Sequence, residues 1–204
     1  MSTASPEALW MTFLAGDEVA FTSLYRAFYR DLFKYGCRLL HDDDQAQNLI
    51  HELFLDLWDK RAQLSSVHSV RAYLLVAYRH RILRFLDTAR RYPLKSLNEV
   101  TALPQLGFTF SPEDFLIDEE HDQAKKERLV QAINQLTDRQ REIIYLRYYR
   151  DLSLPEIAEA LSINYQSVAN HLQRAFAVLR QDKALRIALE LSSLALPLLW
   201  WFLH

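Results

Sequence analysis

An all-α chain, made of two small helical domains joined by an acidic flexible linker, is the fold class predicted by three observations. Apolar residues recur at three- and four-residue spacing along most of the chain, and nowhere do they alternate as in a half-buried strand. Half of the 204 residues are apolar, while only 3 are Gly and 6 are Pro; that composition favours helices and argues against an all-β fold. Pro93, Pro104, Gly107 and Pro112 punctuate a stretch rich in acids, and so long a structureless segment is unnatural inside one compact domain but natural between two. The expected boundaries are a first domain at 5–92, a linker at 93–118, a second domain at 119–182 and an apolar tail at 183–204.

The elements follow in order. Ser5 followed by Pro6 reads as an N-cap with Pro at the first helical position, opening a short helix through Trp10 and Leu14. Gly16 and Asp17 break it. Phe21, Leu24, Tyr25, Phe28, Leu32 and Tyr35 then mark a long amphipathic helix to about Leu40, with Tyr25, Phe28, Phe33 and Tyr35 expected in its core. Asp42, Asp43 and Asp44 supply a cap and favourable negative charge for the next helix. Its apolar stripe is Ala46, Leu49, Ile50, Leu53, Phe54 and Leu57, ending near Trp58, which suits either core or contact surface. Lys60 to Ser69 is loop-like, and a further helix is expected from about Val70 to Arg90.

Helix resumes near Glu119, with Leu129, Ile133 and Leu136 apolar. Thr137, with Gln140 three residues on, caps the next helix. Ser153 and Glu156 form a capping-box pair, and Ile157, Ala158 and Leu161 share one face. After a break at Ser162-Ile163-Asn164, a last helix turns Val168, Leu172, Ala175 and Leu179 inward and offers Tyr165, Gln166, Asn170, His171 and Arg174 outward. This is helix-turn-helix grammar, and a second helix of that kind can enter a DNA major groove.

Charge narrows the reading. The net charge is -2, so a DNA footprint must be local. From Arg71 to Arg91 six arginines face one acid, Asp87, a net of +5; from Ser96 to Ala124 seven acids face no Lys or Arg. A basic block followed by an acidic connector marks two functional zones. One cysteine, Cys37, excludes a disulfide framework and a cysteine-rich zinc site. His41, His51, His68 and His80 lack acidic or cysteine partners at ligand spacing, so no metal is expected, and no cofactor is. No nucleophile triad or Walker sequence is present, so the chain is not expected to be an enzyme. The opening MSTASPEALW has neither the basic nor the apolar region of a secretory signal, which makes a reduced cytoplasm the expected setting.

Together, AFTSLYRAFYRDLFKYGCRLL, AQNLIHELFLDLWDKR and SVRAYLLVAYRHRILRFLDTARR resemble region two, and LTDRQREIIYLRYYRDLSLPEIAEALSINYQSVANHLQRAFAVLR resembles region four, of the extracytoplasmic-function sigma factors of bacterial RNA polymerase. Asn170-His171 in the last helix is similar to the iron-uptake-type subgroup common in Bacteroidetes. The resemblance implies that Asn48, His51, Glu52, Phe54, Leu55, Asp56 and Trp58 dock on the clamp coiled coil of the polymerase largest subunit. It implies that Gln63, Ser66, His68, Arg71, Tyr73, Tyr78, Arg79, His80, Arg81, Arg84, Phe85, Arg90 and Arg91 open and read the −10 element, through stacking faces and positive charge along the strand. It implies that Tyr165, Gln166, Ser167, Asn170, His171 and Arg174 read the −35 element of promoter DNA, while the same domain touches the polymerase flap and the acidic linker threads the polymerase cleft. An anti-sigma factor or a recruiting protein is a further implied partner.

The sequence departs from the family pattern at several places. Asn48 and His51 stand where Asp and Gln are usual in the docking helix. Arg79-His80-Arg81 replaces Arg-Asn-Arg, Arg84 a common Asp, Asp87 a common basic residue and Ala169 a basic one. Ser162 replaces the Gly of the helix-turn-helix turn, an uncomfortable exchange if φ is positive there. From Thr137 to Asp182 six arginines meet six acids, so this domain is expected to bind DNA weakly alone. Two rival readings remain: a stand-alone helix-turn-helix regulator binding duplex DNA as a dimer, and a sigma-like scaffold brought to DNA by another protein. The tail's longest charge-free run, Leu191 to Leu203, is 13 residues, short of the roughly 18–20 that span a bilayer. It suits packing on the last domain, contact with a partner, or membrane association.

Overall fold

The computed structural model describes residues 5–91, 107–110 and 123–181, with the side chains of 90, 91 and 123–126 excepted. Most of the expected linker and the whole apolar tail lie outside the described residues, as does any start of the fifth helix before Gln123. Within them the helices are α1 (Pro6–Leu14), α2 (Glu18–Leu40), α3 (Asp43–Lys60), α4 (Val70–Arg91), α5 (Gln123–Asn134), α6 (Asp138–Ile144), α7 (Leu154–Leu161) and α8 (Tyr165–Gln181). A 3-10 turn, Arg61–Gln63, follows α3, and a π turn, Tyr145–Tyr149, follows α6. No strand occurs among the described residues. The chain separates into two compact units, the first carrying α1 to α4 and the second carrying α5, α6, the start of α7, and α8.

The caps at Ser5 and Asp42 are those the sequence predicts, and Asp17, which the sequence marks only as a break, is a third. Ser5 Oγ accepts from Ala8 N with Pro6 at the first helical position, Asp17 Oδ1 accepts from Val19 N and Ala20 N, and Asp42 Oδ1 accepts from Gln45 N. Gly16, at φ 95°, makes the turn between α1 and α2, a conformation that glycine adopts without penalty. α2 packs along α1 and α3, and α4 closes the bundle. Its core holds Leu24, Phe28, Leu32 and Tyr35 from α2, Ala46, Ile50 and Leu53 from α3, and Leu74, Tyr78 and Ile82 from α4. Of the four aromatics expected inside α2, Phe28 and Tyr35 are buried, while Tyr25 and Phe33 stay half-exposed.

One end of the bundle is an aromatic cluster. Trp10 lies 5.1 Å from both Phe13 and Tyr73, and Phe21 lies 5.0 Å from Trp58 and 5.9 Å from Phe54. Such pairs contribute roughly 0.5–1.5 kcal/mol each beyond burial. Trp10 Nε1 also donates to Ser65 O at 3.1 Å, which fastens the 61–69 loop to α1.

In the second unit, Thr137 and Gln140 complete a capping box at α6. The π turn brings the Tyr145 and Tyr149 rings into parallel stacking at 5.6 Å, and Arg150 N donates across it to Tyr145 O at 3.2 Å. Phe108 and Phe110, which the sequence reading assigns to the linker, are buried against this pair: Phe108 is 5.0 Å from Tyr145 and Phe110 is 5.5 Å from Tyr149. Asn134 holds the backbone of Phe110 at both ends, accepting from its N–H and donating to its carbonyl at 3.0 Å each.

Candidate partner and nucleic-acid interfaces

α3 presents two faces. Leu49, Ile50, Leu53, Phe54 and Leu57 are buried. Asn48, His51, Glu52, Leu55 and Asp59 are exposed, with Asp56 half-exposed among them, at the three- and four-residue steps of a single stripe. Leu55 is 64% exposed at the centre of this polar surface, and Asp59 is a member that sequence reasoning did not select. His51 Nε2 lies 2.8 Å from Tyr25 Oη, and its ring stacks over Tyr25 at 6.0 Å and Tyr29 at 6.5 Å. The two aromatics of the expected contact set lie beside this stripe. Phe54 is 3% exposed, an aromatic of the core. Trp58 is half-buried against Phe13 and Phe21, with the Arg61 guanidinium 4.3 Å over its ring.

The expected −10 residues differ in exposure. Gln63, Ser66, His68, Arg71 and Arg84 are exposed. Tyr73, His80 and Phe85 are half-buried; the first of these packs on Trp10, and burial raises its phenol pKa. Tyr73, His80 and Arg84 recur at helical spacing on one side of α4, with Asp87 beside them. Tyr78 and Arg79 are corrected by the structure. Tyr78 is fully buried and its Oη donates to Ala46 O at 2.9 Å, so its ring offers no face to a base; α4's four-residue apolar repeat Tyr78, Ile82, Leu86 carries that signal. Arg79 is 5% exposed and cannot lie along a strand of phosphates. Arg81 is turned toward α3, where it pairs with Glu52 at 3.1 Å and with Asp56. The side chains of Arg90 and Arg91 lie outside the described residues.

The helix-turn-helix is built by three local devices. Ser153 and Glu156 cap α7 reciprocally, with Ser153 N donating to Glu156 Oε2 at 2.8 Å and Glu156 N donating to Ser153 Oγ at 3.5 Å. α7 ends in a Schellman motif: Ile163 N donates to Ala158 O at 3.0 Å and Ser162 N to Glu159 O at 3.1 Å. Ser162 sits there at φ 53°, in the left-handed region where glycine is preferred. Asn164 then caps α8, its Oδ1 accepting from Ser167 N at 2.7 Å. α8 packs on α6 through its buried face, which includes Val168, Leu172, Ala175, Phe176 and Leu179. Tyr165, Gln166 and Arg174 are exposed and Ser167, Asn170 and His171 half-exposed, spread from the N-terminus to the middle of α8. Gln166 Nε2 donates to Asn170 Oδ1 at 3.1 Å, which orders both amides on one face. Partial burial, then the positive charges of Arg139 and Arg174, lower the His171 pKa, so the ring is neutral at pH 7 and can both donate and accept.

A helical bundle with a polar stripe around one exposed leucine, together with a helix-turn-helix whose second helix presents amides, a phenol and an arginine, is the architecture of a DNA-handling protein. The chain matches Sigma-70 region 2 over residues 24–92 and Sigma-70, region 4 over residues 126–179, which together are more than half of its length. RNA polymerase sigma factor YlaC of Bacillus subtilis is 26% identical over 159 residues, covering 78% of this chain and 89% of that protein. The ECF RNA polymerase sigma factor SigL of Mycobacterium tuberculosis is 29% identical over 175 residues, covering 83% and 94%. Among solved structures, CnrH in complex with the cytosolic domain of CnrY shares the fold at a TM-score of 0.55 and 16% identity, over 86% of this chain and 94% of that one. The chain therefore belongs to the sigma-70 family and is an extracytoplasmic-function sigma factor, a protein that directs RNA polymerase in transcription initiation.

Proposed function

We propose that the outward stripe of α3 is the surface that holds core polymerase, docking on the clamp coiled coil of the largest subunit. The observation that carries this reading is Leu55, 64% exposed between Glu52 and Asp56. An apolar side chain ringed by acids suits a partner surface that is apolar at its centre and basic at its rim. The 61–69 loop and the exposed side of α4, with Arg71, His80 and Arg84, then meet the opened −10 strand. The N-terminal end of α8 reads the −35 element, with the Gln166–Asn170 pair suited to an adenine edge and Arg174 to guanine or phosphate.

The rest of the reading follows the same division. The chain performs no chemistry itself; it works in the cytoplasm, and polymerase supplies catalysis. An antagonist or recruiting protein is a further partner, supported by the fold shared with CnrH, which was solved with the cytosolic domain of CnrY. Asn170 and His171 support the iron-uptake-type subgroup. Among the described residues no helix is long and apolar enough to cross a membrane.

The test is reconstitution with bacterial core polymerase followed by mapping of transcription starts. Starts sharing both a −10 and a −35 motif are expected. Leu55→Asp combined with Glu52→Arg should abolish core binding while the chain stays folded, and unchanged binding refutes the docking surface.

A further inference from the structure

Arg81 occupies an unexpected place. It lies on α4, the helix that carries the −10 residues, yet its guanidinium reaches α3 and pairs with two carboxylates of the docking stripe, Glu52 at 3.1 Å and Asp56. Its side chain is 20% exposed, against 56% for Glu52 and 47% for Asp56. Lys60 Nζ also approaches Asp56, at 3.8 Å. The acids thus face outward toward a partner while holding the arginine inward. The cation and the carboxylates cannot serve strand and partner freely while they serve each other.

We propose that Arg81 couples polymerase docking to −10 strand binding: in the free chain Glu52 and Asp56 hold its charge, and when core polymerase engages those carboxylates the guanidinium is released toward the DNA phosphates. This rests on the docking face proposed above. By reciprocity, whatever strengthens the carboxylates' engagement with polymerase strengthens the arginine's engagement with DNA, and the reverse. The size of the effect is bounded by the pairs themselves. Ion pairs of this exposure give about threefold to tenfold at low ionic strength when two act on one cation, and less as salt rises. The free sigma factor is thereby biased against binding single strands before it has found polymerase.

The experiment is a mutant cycle on the full chain. The readout is the fluorescence anisotropy of a short labelled single-stranded DNA of mixed sequence, without polymerase and at low salt. Glu52→Gln with Asp56→Asn should tighten binding about threefold to tenfold, and the same change in an Arg81→Gln background should give little gain. Asp59→Asn, an acid on the same stripe outside the Arg81 pairing with Glu52 and Asp56, is the control for general loss of negative charge and should give a gain equal in both backgrounds. Arg81→Gln alone should barely alter the free chain yet weaken open-complex formation by the holoenzyme. Arg81→Lys, which keeps the charge but loses the two-pronged geometry, should fall between, and serves in its place should Arg81→Gln melt early. Equal gains from the acid pair with and without Arg81, or no gain at all, overturn the coupling. Core affinity of the acid-pair variant is measured separately. If it is unchanged, the docking reading fails, while the Arg81 cycle still reports on masking by itself.

Discussion

Gly36 lies buried toward the C-terminal end of α2 but still inside it, where alanine would ordinarily stabilise a helix by about 1 kcal/mol. Here the opposite is expected. A Cβ on Gly36 would sit 2.1 Å from Tyr78 Oη, 3.0 Å from Tyr78 Cζ and 3.1 Å from Ala46 Cβ. The tyrosine cannot swing away without cost, because it is fully buried and its hydroxyl donates to Ala46 O at 2.9 Å. Overpacking costs about 1–3 kcal/mol, and breaking a buried hydrogen bond about 1–3 kcal/mol more. Set against the propensity gain, Gly36→Ala should destabilise the chain by about 1–5 kcal/mol. Tyr78→Phe removes the clashing oxygen. Alone it should cost about 1 kcal/mol, but in the Gly36→Ala background it should restore about 1–2 kcal/mol. Urea unfolding followed by circular dichroism measures all four proteins. Wild-type stability for Gly36→Ala, or simple addition of the two costs in the double variant, would refute the argument. The same Tyr78→Phe protein should open a promoter normally, which separates a core tyrosine from one that stacks on a base.

Three other outcomes follow from the segment that carries α5 to α8. Ser162→Gly should stabilise it by about 0.5–1 kcal/mol in urea unfolding, since a left-handed serine is strained and glycine is not, less the entropy glycine loses on folding. Asn134→Ala should free the Phe110 backbone, seen as faster hydrogen exchange at that amide and a loss of about 1–3 kcal/mol; unchanged exchange would show the clamp to be idle. The His171 ring should titrate below its ordinary 6.5 by proton NMR, and Arg139→Gln should move the midpoint upward, although less than full exposure of the ring would. Because the folded state disfavours the charged ring, His171's contribution to stability is complete above its unfolded pKa and falls away as the pH drops through the lowered folded value; a midpoint at or above 6.5 would contradict the cause assigned.

The helices were legible because their signals are local. Ser5-Pro6, Asp42, Thr137-Gln140 and Ser153-Glu156 each satisfy backbone donors within four residues, so short stretches of sequence suffice to find them. The left-handed turn at Ser162 was legible only through the family resemblance, in which a glycine is usual there. What escaped reading depends on residues far apart in sequence. Arg81 scans as one more cation in a basic block until α3 is laid beside it. Tyr78 scans as a stacking face until Gly36 opens the hole that its ring fills. Phe108 and Phe110 sit amid acids and prolines, and only the pairing of the Tyr145 and Tyr149 rings across a π turn makes a seat for them. A π turn inserts a residue relative to helical periodicity, and apolar spacing alone does not announce it.

The arginines of the second unit explain why a helix-turn-helix with a neutral sum of charges is suited to act inside a larger complex. Arg139 pairs with Glu142 at 3.3 Å and Arg141 with Asp138. Arg147 donates to Leu152 O at 3.0 Å, and Arg150 lies 5.1 Å over the Tyr145 ring. These side chains knit the unit together, and Arg174 is the exposed cation among the α8 residues chosen for DNA. Each neutralised phosphate contributes about one unit to the salt dependence of DNA binding and a corresponding share of affinity. On the −35 reading proposed above, a recognition helix with so little charge to contribute gains little from phosphates, and its discrimination rests on the Gln166–Asn170 amides and a neutral His171. Such a reader is selective only when something else holds the DNA in place. On the docking surface proposed above for α3, polymerase supplies the hold, and this chain supplies the choice.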